Sequence, residues 1–383
     1  MKAGRGIILP VKVKNSTRKG LLEKGGLRMK SKKNWICFGV MAALLSWTVY
    51  SILKKQTPGQ LARAIASADW RLILLGIPVM ALFIAFEAKS THWILRALGT
   101  PQPFRRCYFY SCTGFFFSTI TPSATGGQPA QIYYMNRDGV PAASGTIDML
   151  LTTIGYNGAT VFYGLLALLT GRNLTERLGG RVGFLLGIGF MALIVLIVTI
   201  LLFLFLPEPA RRLCLAAIGL AARVRPSLDR AALEEKLEVQ LENYRQGALL
   251  IRRTRGLFPR VLLMGAGQLA CTFAVPCIVY RAFGLTGAAA WEVFSLQALC
   301  AISVNFLPLP GAAGAAESVF LRGFAAVFGA GLVAPAMILT RTVNCYLVLA
   351  VTGIITAVGH FRGRRIRPTA GGEKTEKDDS RAA

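Results

Sequence analysis

The stretch 182-VGFLLGIGFMALIVLIVTILLFLFLP-207 runs for 26 residues without a charged side chain. About 20 such residues span the hydrocarbon core of a bilayer. Similar apolar runs lie near 35–53, 72–94, 144–170, 258–284, 289–307 and 333–359. The chain of 383 residues is 54% hydrophobic and only 16% charged, too few charges to clothe a soluble domain of this size. The expected fold class is therefore an all-α polytopic membrane protein with about seven to nine transmembrane segments, one or two of them re-entrant or broken.

The formal net charge of +26 is concentrated at particular places. Residues 1–34 hold eleven Lys/Arg against the single acid Glu23, residues 208–260 hold another eleven, and the tail opens with Arg362, Arg364, Arg365 and Arg367. Basic residues flanking spans mark the cytoplasmic side. This pattern is a topology signal, and no nucleic-acid partner is expected. It predicts a multi-pass protein of the cell membrane with both termini cytoplasmic. The implied divisions are a basic N-terminal segment (1–34), a first membrane half (35–207), an amphipathic cytoplasmic connector (208–257), a second membrane half (258–360) and a polar tail (361–383). Within the linker 54–71, Leu61, Ile65 and Trp70 share one side and suit a helix lying in the membrane interface.

Fixing those ends in the cytoplasm constrains 107–137, which must begin and end on one side. It contains 119-TITPSATGGQPAQIYYMNRDG-139. The apolar run from Cys107 to Thr121 is short for a crossing, so a hairpin dipping into the membrane is expected, with a new helix near Ala130. By the same parity 289–330 starts and ends on the outer side, and it contains 305-NFLPLPGAAGAAESVFLRG-323. Pro122 and Gly126-Gly127 match Pro310 and Gly314-Ala315 in spacing, which suggests an inverted repeat. Two complete spans at 289–307 and 312–330 satisfy the same parity.

Non-helical backbone at membrane depth is tolerated only where protein buries it or a wet cavity receives it. The prolines remove donors, and the glycines permit unusual torsions or a close approach. Ser118, Thr119, Thr121, Ser123, Thr125 and Gln128 offer uncharged hydrogen-bonding groups, and a helix start nearby aims its free amides at the break. This chemistry suits a phosphate headgroup, and a tight packing site of small residues is the alternative. The candidate substrate-binding set is Thr121, Ser123, Thr125, Gly126, Gly127, Gln128, Tyr133, Glu317 and Arg341. Glu317 and Arg341 read equally as a structural ion pair or a headgroup site. Glu87, Lys89, His92 and Asp148 lie near span ends, where snorkelling explains them.

Eight scattered cysteines without a CxxC pair and only two histidines give no metal-site spacing, and no cofactor is expected. No GxxxxGK[ST] motif is present, so ATP hydrolysis by this chain is not expected.

Taken together, Thr121-Pro122, Gly126-Gly127-Gln128-Pro129-Ala130, Tyr133-Tyr134, Leu307-Pro308 and Gly311 to Glu317 resemble the lysylphosphatidylglycerol synthase/flippase transmembrane family over about residues 35–360. The resemblance implies an integral lipid translocase acting on phosphatidylglycerol or its aminoacylated form, linked to resistance to cationic antimicrobial peptides. Its implied partners are an anionic or aminoacylated membrane phospholipid and a separate aminoacyltransferase. Larger relatives carry a C-terminal domain that transfers lysine from charged tRNA. The 23 residues after His360 leave no room for one, so catalytic residues are not expected. A phosphatidylglycerol lysyltransferase, or a non-catalytic membrane partner of one, remain as alternatives.

Overall fold

The computed structural model describes residues 58–121, 124–170, 174–205, 207–224, 230–254, 256–307 and 314–363. The expected first span at 35–53, both terminal segments, the Pro122-Ser123 pair and 308–313 lie outside them. The described residues form helices throughout, without a strand: α1 (Pro58–Ala66), α2 (Trp70–Ala97), α3 (Phe104–Ile120), α4 (Gly127–Arg137), α5 (Ala142–Thr170), α6 (Leu174–Phe205), α7 (Pro207–Val224) and α8 (Arg230–Arg253). Then follow α9 (Leu257–Ala282), α10 (Ala290–Asn305), α11 (Ala315–Gly323), α12 (Ala325–Arg341), a π-helical turn (Thr342–Leu347) and α13 (Val348–Gly363).

This is an all-α membrane protein. Three described stretches are long and apolar enough to cross a bilayer, namely Trp70–Ala97, Leu257–Ala282 and Ala325–Phe361, and Gly183–Thr199 is a shorter apolar helix. Helix α5 matches them in length, but it carries Asp148, Asn157 and Thr160 buried toward its neighbours. Large apolar side chains point outward instead: Leu169 is 79% exposed, Phe184 71% and Ile354 65%. An outward apolar belt over inward polar groups inverts a soluble protein and fits a lipid solvent.

The bundle is centred on α9, which packs along α2 on one side and α5 on the other. Small residues set the second crossing. A Cβ on Gly265 would lie 2.6 Å from the Gly155 carbonyl oxygen, and one on Gly155 2.8 Å from the Val261 side chain. Without water between helices to drive association, such close backbone contact supplies much of the packing energy. Gly189 of α6 meets the Ile302 carbonyl of α10 in the same way.

Helices α3 and α4 fold back as an antiparallel hairpin. Phe109 stacks edge-on against Tyr134, and the Tyr110 hydroxyl donates to Asp138 at 2.7 Å. Gly114 faces Gln131, and Gly127 faces Ser118. With 11 residues, α4 is about 16 Å long, roughly half the hydrocarbon thickness. The 9 residues of α11 make about 14 Å. Both breaks are thus followed by helices too short to cross. The first new helix starts at Gly127, three residues before the expected Ala130, because the turn closes early: Thr121 Oγ1 donates to the Phe117 carbonyl at 2.6 Å and accepts from the Gly126 N–H at 2.9 Å.

Three other details differ from the sequence reading. In α1, Leu61 and Ile65 pack against the buried core, and the helix sits on α12, whereas Trp70 is exposed and opens α2 behind the Asp69 cap. The last long helix starts at Ala325, ahead of the expected 333, and is interrupted at Gly329, whose φ of 75° favours glycine. The segment 208–257 holds two helices, α7 and α8, tied by an Arg211–Glu238 ion pair of 2.7 Å. Leu250 of α8 packs into a cluster with Ile94, Ile147 and Leu151, so α8 docks on the bundle.

Candidate functional site

The two breaks converge. A cavity of about 520 Å³ is lined by Ser118, Thr119 and Ala124 from the first break and by Asn305, Phe306, Leu307 and Ala316 from the second. Its walls include Phe83, Phe115 and Phe320, and Thr272, Gln297, Thr340, Arg341 and Asn344 supply polar groups. That volume lies within the range of small-molecule sites, and the mixture of apolar walls with a few convergent polar groups is typical of them.

Four of the lining side chains carry a buried oxygen without a hydrogen-bond partner: Thr272 Oγ1, Gln297 Oε1, Thr340 Oγ1 and Asn344 Oδ1. An unmatched buried polar atom costs about 1–3 kcal/mol. Four around one cavity therefore mark a space built for water or a polar ligand. The local backbone adds to this opening. Directly after Arg341 the helix widens into a π turn, which places Asn344 and Cys345 on the cavity wall and lets Asn344 Nδ2 donate to the Thr272 carbonyl at 3.3 Å.

Glu317 and Arg341 meet at this wall. Arg341 Nε donates to Glu317 Oε1 at 2.7 Å, and Glu317 Oε2 accepts the Gly314 N–H at 2.5 Å. Glu317 occupies the third position of α11, where a carboxylate can cap the free amide ahead of the helix. Gly314 holds a φ of 81°, a left-handed torsion that suits glycine at the helix entrance. The acid is only 3% exposed, while its partner keeps 19% and borders the cavity. The cation thus faces the cavity, and the anion stands behind it.

The other candidates are placed differently. Thr121 closes the turn of the first break from inside. Ser123 lies outside the described residues, and Thr125 is exposed at the turn. Gly126 and Gly127 fit against α3: a Cβ on Gly127 would be 2.7 Å from the Gly114 carbonyl and would overlap Ser118. Gln128 is exposed and donates to Thr153 Oγ1 of α5 at 3.0 Å, and Tyr133 is 58% exposed on the outer face of α4. The structure therefore brings Arg341 to the cavity, with Glu317 behind it, together with Ser118 and Thr119 at the start of the predicted polar run.

Sequence reasoning missed the lining residues Thr272, Gln297 and Asn344. The signal available was a lone polar residue inside an apolar helix, as in 340-TRTVNCYLVLAVTG-353, where Thr340 and Asn344 lie one turn apart. It also misplaced Glu87 and Asp148, which turn inward instead of snorkelling. Asp148 has no exposed surface, and Glu87 accepts from Gln131 Nε2 at 3.1 Å and Gln268 Nε2 at 2.9 Å.

Comparison with known proteins covers most of the chain. Residues 34–352 match the family described as the lysylphosphatidylglycerol synthase TM region. An uncharacterized protein of Mycoplasma pneumoniae, the MG306 homolog, is 22% identical over 319 residues, which is 77% of this chain and 79% of that one.

Proposed function

Because the chain belongs to the lysylphosphatidylglycerol synthase transmembrane family, we propose that it moves phosphatidylglycerol, or its aminoacylated form, between the leaflets of the cell membrane. The headgroup passes through the cavity between the two breaks while the acyl chains stay in lipid. The observation that carries this reading is that both breaks and Arg341 border one cavity whose buried polar atoms lack partners. A guanidinium recognises phosphate through several N–H donors in one plane, and Glu317 fixes its orientation from behind. An aminoacylated headgroup adds an ammonium group, for which Gln297, Asn305 and Asn344 offer carbonyl oxygens.

In this reading a separate aminoacyltransferase supplies the modified lipid, and its delivery to the outer leaflet lowers the negative charge seen by cationic antimicrobial peptides. Both termini face the cytoplasm.

The test is leaflet exchange in reconstituted vesicles with headgroup-labelled phosphatidylglycerol and lysylphosphatidylglycerol. Exchange falls at least tenfold in Arg341→Gln and in the Gln297→Leu/Asn344→Leu double variant, while both keep wild-type helix content. Exchange that is unchanged in these variants contradicts the reading. Lysine transfer from charged tRNA to lipid by the purified chain replaces it with the transferase alternative.

A further inference from the structure

A second buried polar cluster lies apart from the cavity, where α2, α3, α4, α5 and α9 meet. Glu87 is its anchor. Its two carboxylate oxygens accept one amide each, from Gln131 of α4 and Gln268 of α9. An ionised carboxylate is an acceptor-only group, so a pair of N–H donors favours its charged form. Asp148 is within electrostatic range of Glu87 and faces Thr91, and it has the opposite environment. It is fully buried, forms no ion pair among the described residues, and has only the Thr91 hydroxyl beside it, outside good hydrogen-bond geometry.

Well-placed donors are few in the cluster. Among the described residues Asp148 Oδ1 and Oδ2 and Gln131 Oε1 have no donor in good geometry, and the essentially buried hydroxyls of Thr91 and Ser111 stand beside Asp148 and Glu87. No salt bridge reaches either acid among the described residues. Several basic side chains on neighbouring elements are engaged elsewhere. Lys89 and Arg260 sit over the Trp93 ring at 5.3 and 5.8 Å, Arg137 covers Tyr134 at 4.8 Å, and His92 Nδ1 is hydrogen-bonded to the Gln102 carbonyl at 2.8 Å. The other titratable groups facing the pair are two thiols and a phenol, Cys107 near Asp148, and Cys112 and Tyr156 near Glu87, and none of them can supply a positive charge. A fully buried carboxylate beside a half-buried one does not stay charged together with it without a counter-ion.

We propose that Glu87 and Asp148 form a proton-binding site in the core of the bundle, in which Asp148 takes up and releases one proton while Glu87 stays ionised between its two amides. Uptake converts the Asp148 carboxylate to an acid whose O–H donates to a neighbouring oxygen, which supplies the missing donor. Release places two like charges together and pushes α5 away from α2. Since Glu87 also holds Gln131, the charge state of the site is transmitted to α4, the helix that follows the first break. The site therefore lets proton movement act on the break. It stands on the packing of five helices and does not require that the cavity binds lipid.

The test uses the full chain in nanodiscs of phosphatidylcholine, where no anionic lipid is present. Infrared difference spectra recorded while the pH is raised show loss of a protonated carboxylic-acid carbonyl band in the wild type. The band is absent in Asp148→Asn, remains in Glu87→Gln, and is present at a shifted frequency in Asp148→Glu, which covers the case in which Asp148→Asn folds poorly. The isosteric Asp148→Asn chain is always neutral at this position, so its thermal midpoint gains on the wild type as pH rises. A titrating band that persists in Asp148→Asn overturns the proposal, as does a wild type without one. Disappearance of the band on adding sodium at fixed pH also overturns it, since a metal ion then carries the compensating charge. These readouts involve no lipid movement, so the lipid reading and the proton site stand or fall separately.

Discussion

Removing one member of the Glu317–Arg341 pair is predicted to cost more when the arginine is lost than when the acid is neutralised. Arg341→Met strands the Glu317 carboxylate, which is 3% exposed and among the described residues keeps the Gly314 N–H. Breaking a buried pair in this way costs about 3–5 kcal/mol. Glu317→Gln leaves an amide oxygen that still accepts from Gly314. It also leaves an arginine whose side chain is 19% exposed and borders the cavity, where water can solvate it. The loss is then one charge-assisted bond, about 1.5–3 kcal/mol. The double variant removes both charges, and its cost falls short of the sum of the singles by about 1–3 kcal/mol. Unfolding by sodium dodecyl sulfate in mixed micelles, followed by near-ultraviolet circular dichroism, measures all three. Equal costs for the singles, or a larger cost for Glu317→Gln, would refute the arrangement of a buried anion behind a solvated cation.

Two further predictions concern the hairpin after the first break. Gly127→Ala forces a methyl group against the Gly114 carbonyl and Ser118 and destabilises by about 1–3 kcal/mol, whereas Gly187→Ala, with nothing within 4 Å of its Cβ, changes stability little. The same unfolding assay compares them, and equal effects would mean that α3 and α4 are not in close contact. Tyr110→Phe removes the 2.7 Å bond to Asp138 that ties the far ends of the hairpin, at a cost of about 1–2 kcal/mol. Faster amide exchange at the C-terminal end of α4 checks it.

Much of this architecture was legible because membrane constraints are strong. An uncharged run such as 182–207 has few alternatives to a helix in lipid, and the two proline–glycine breaks announce themselves against apolar surroundings. The pairing of Glu317 with Arg341 was also within reach, since an isolated intramembrane charge demands a partner. What sequence could not supply was direction. Gly126 and Gly127 mark the break in the chain, but whether a glycine faces a ligand or a neighbouring helix depends on which element packs beside it. Here α3 fills that space. Distance from a span end misled for Glu87 and Asp148 for a related reason. Residues 87 and 148 lie toward the ends of the expected spans 72–94 and 144–170, yet Glu87 sits well inside α2 and Gln131 of α4 reaches it. A re-entrant hairpin buries what a simple crossing would leave at the surface.

The most direct measurement is photo-crosslinking from within the cavity. A photoreactive amino acid at Ala301 or Thr272, on the cavity wall, is compared with one at Leu75, an outward-facing position that is 50% exposed. Vesicles carry headgroup-labelled phosphatidylglycerol. The account predicts headgroup crosslinks from Ala301 and Thr272 that weaken severalfold in Arg341→Gln, with none from Leu75. Crosslinks confined to Leu75, or cavity crosslinks indifferent to Arg341, would contradict it.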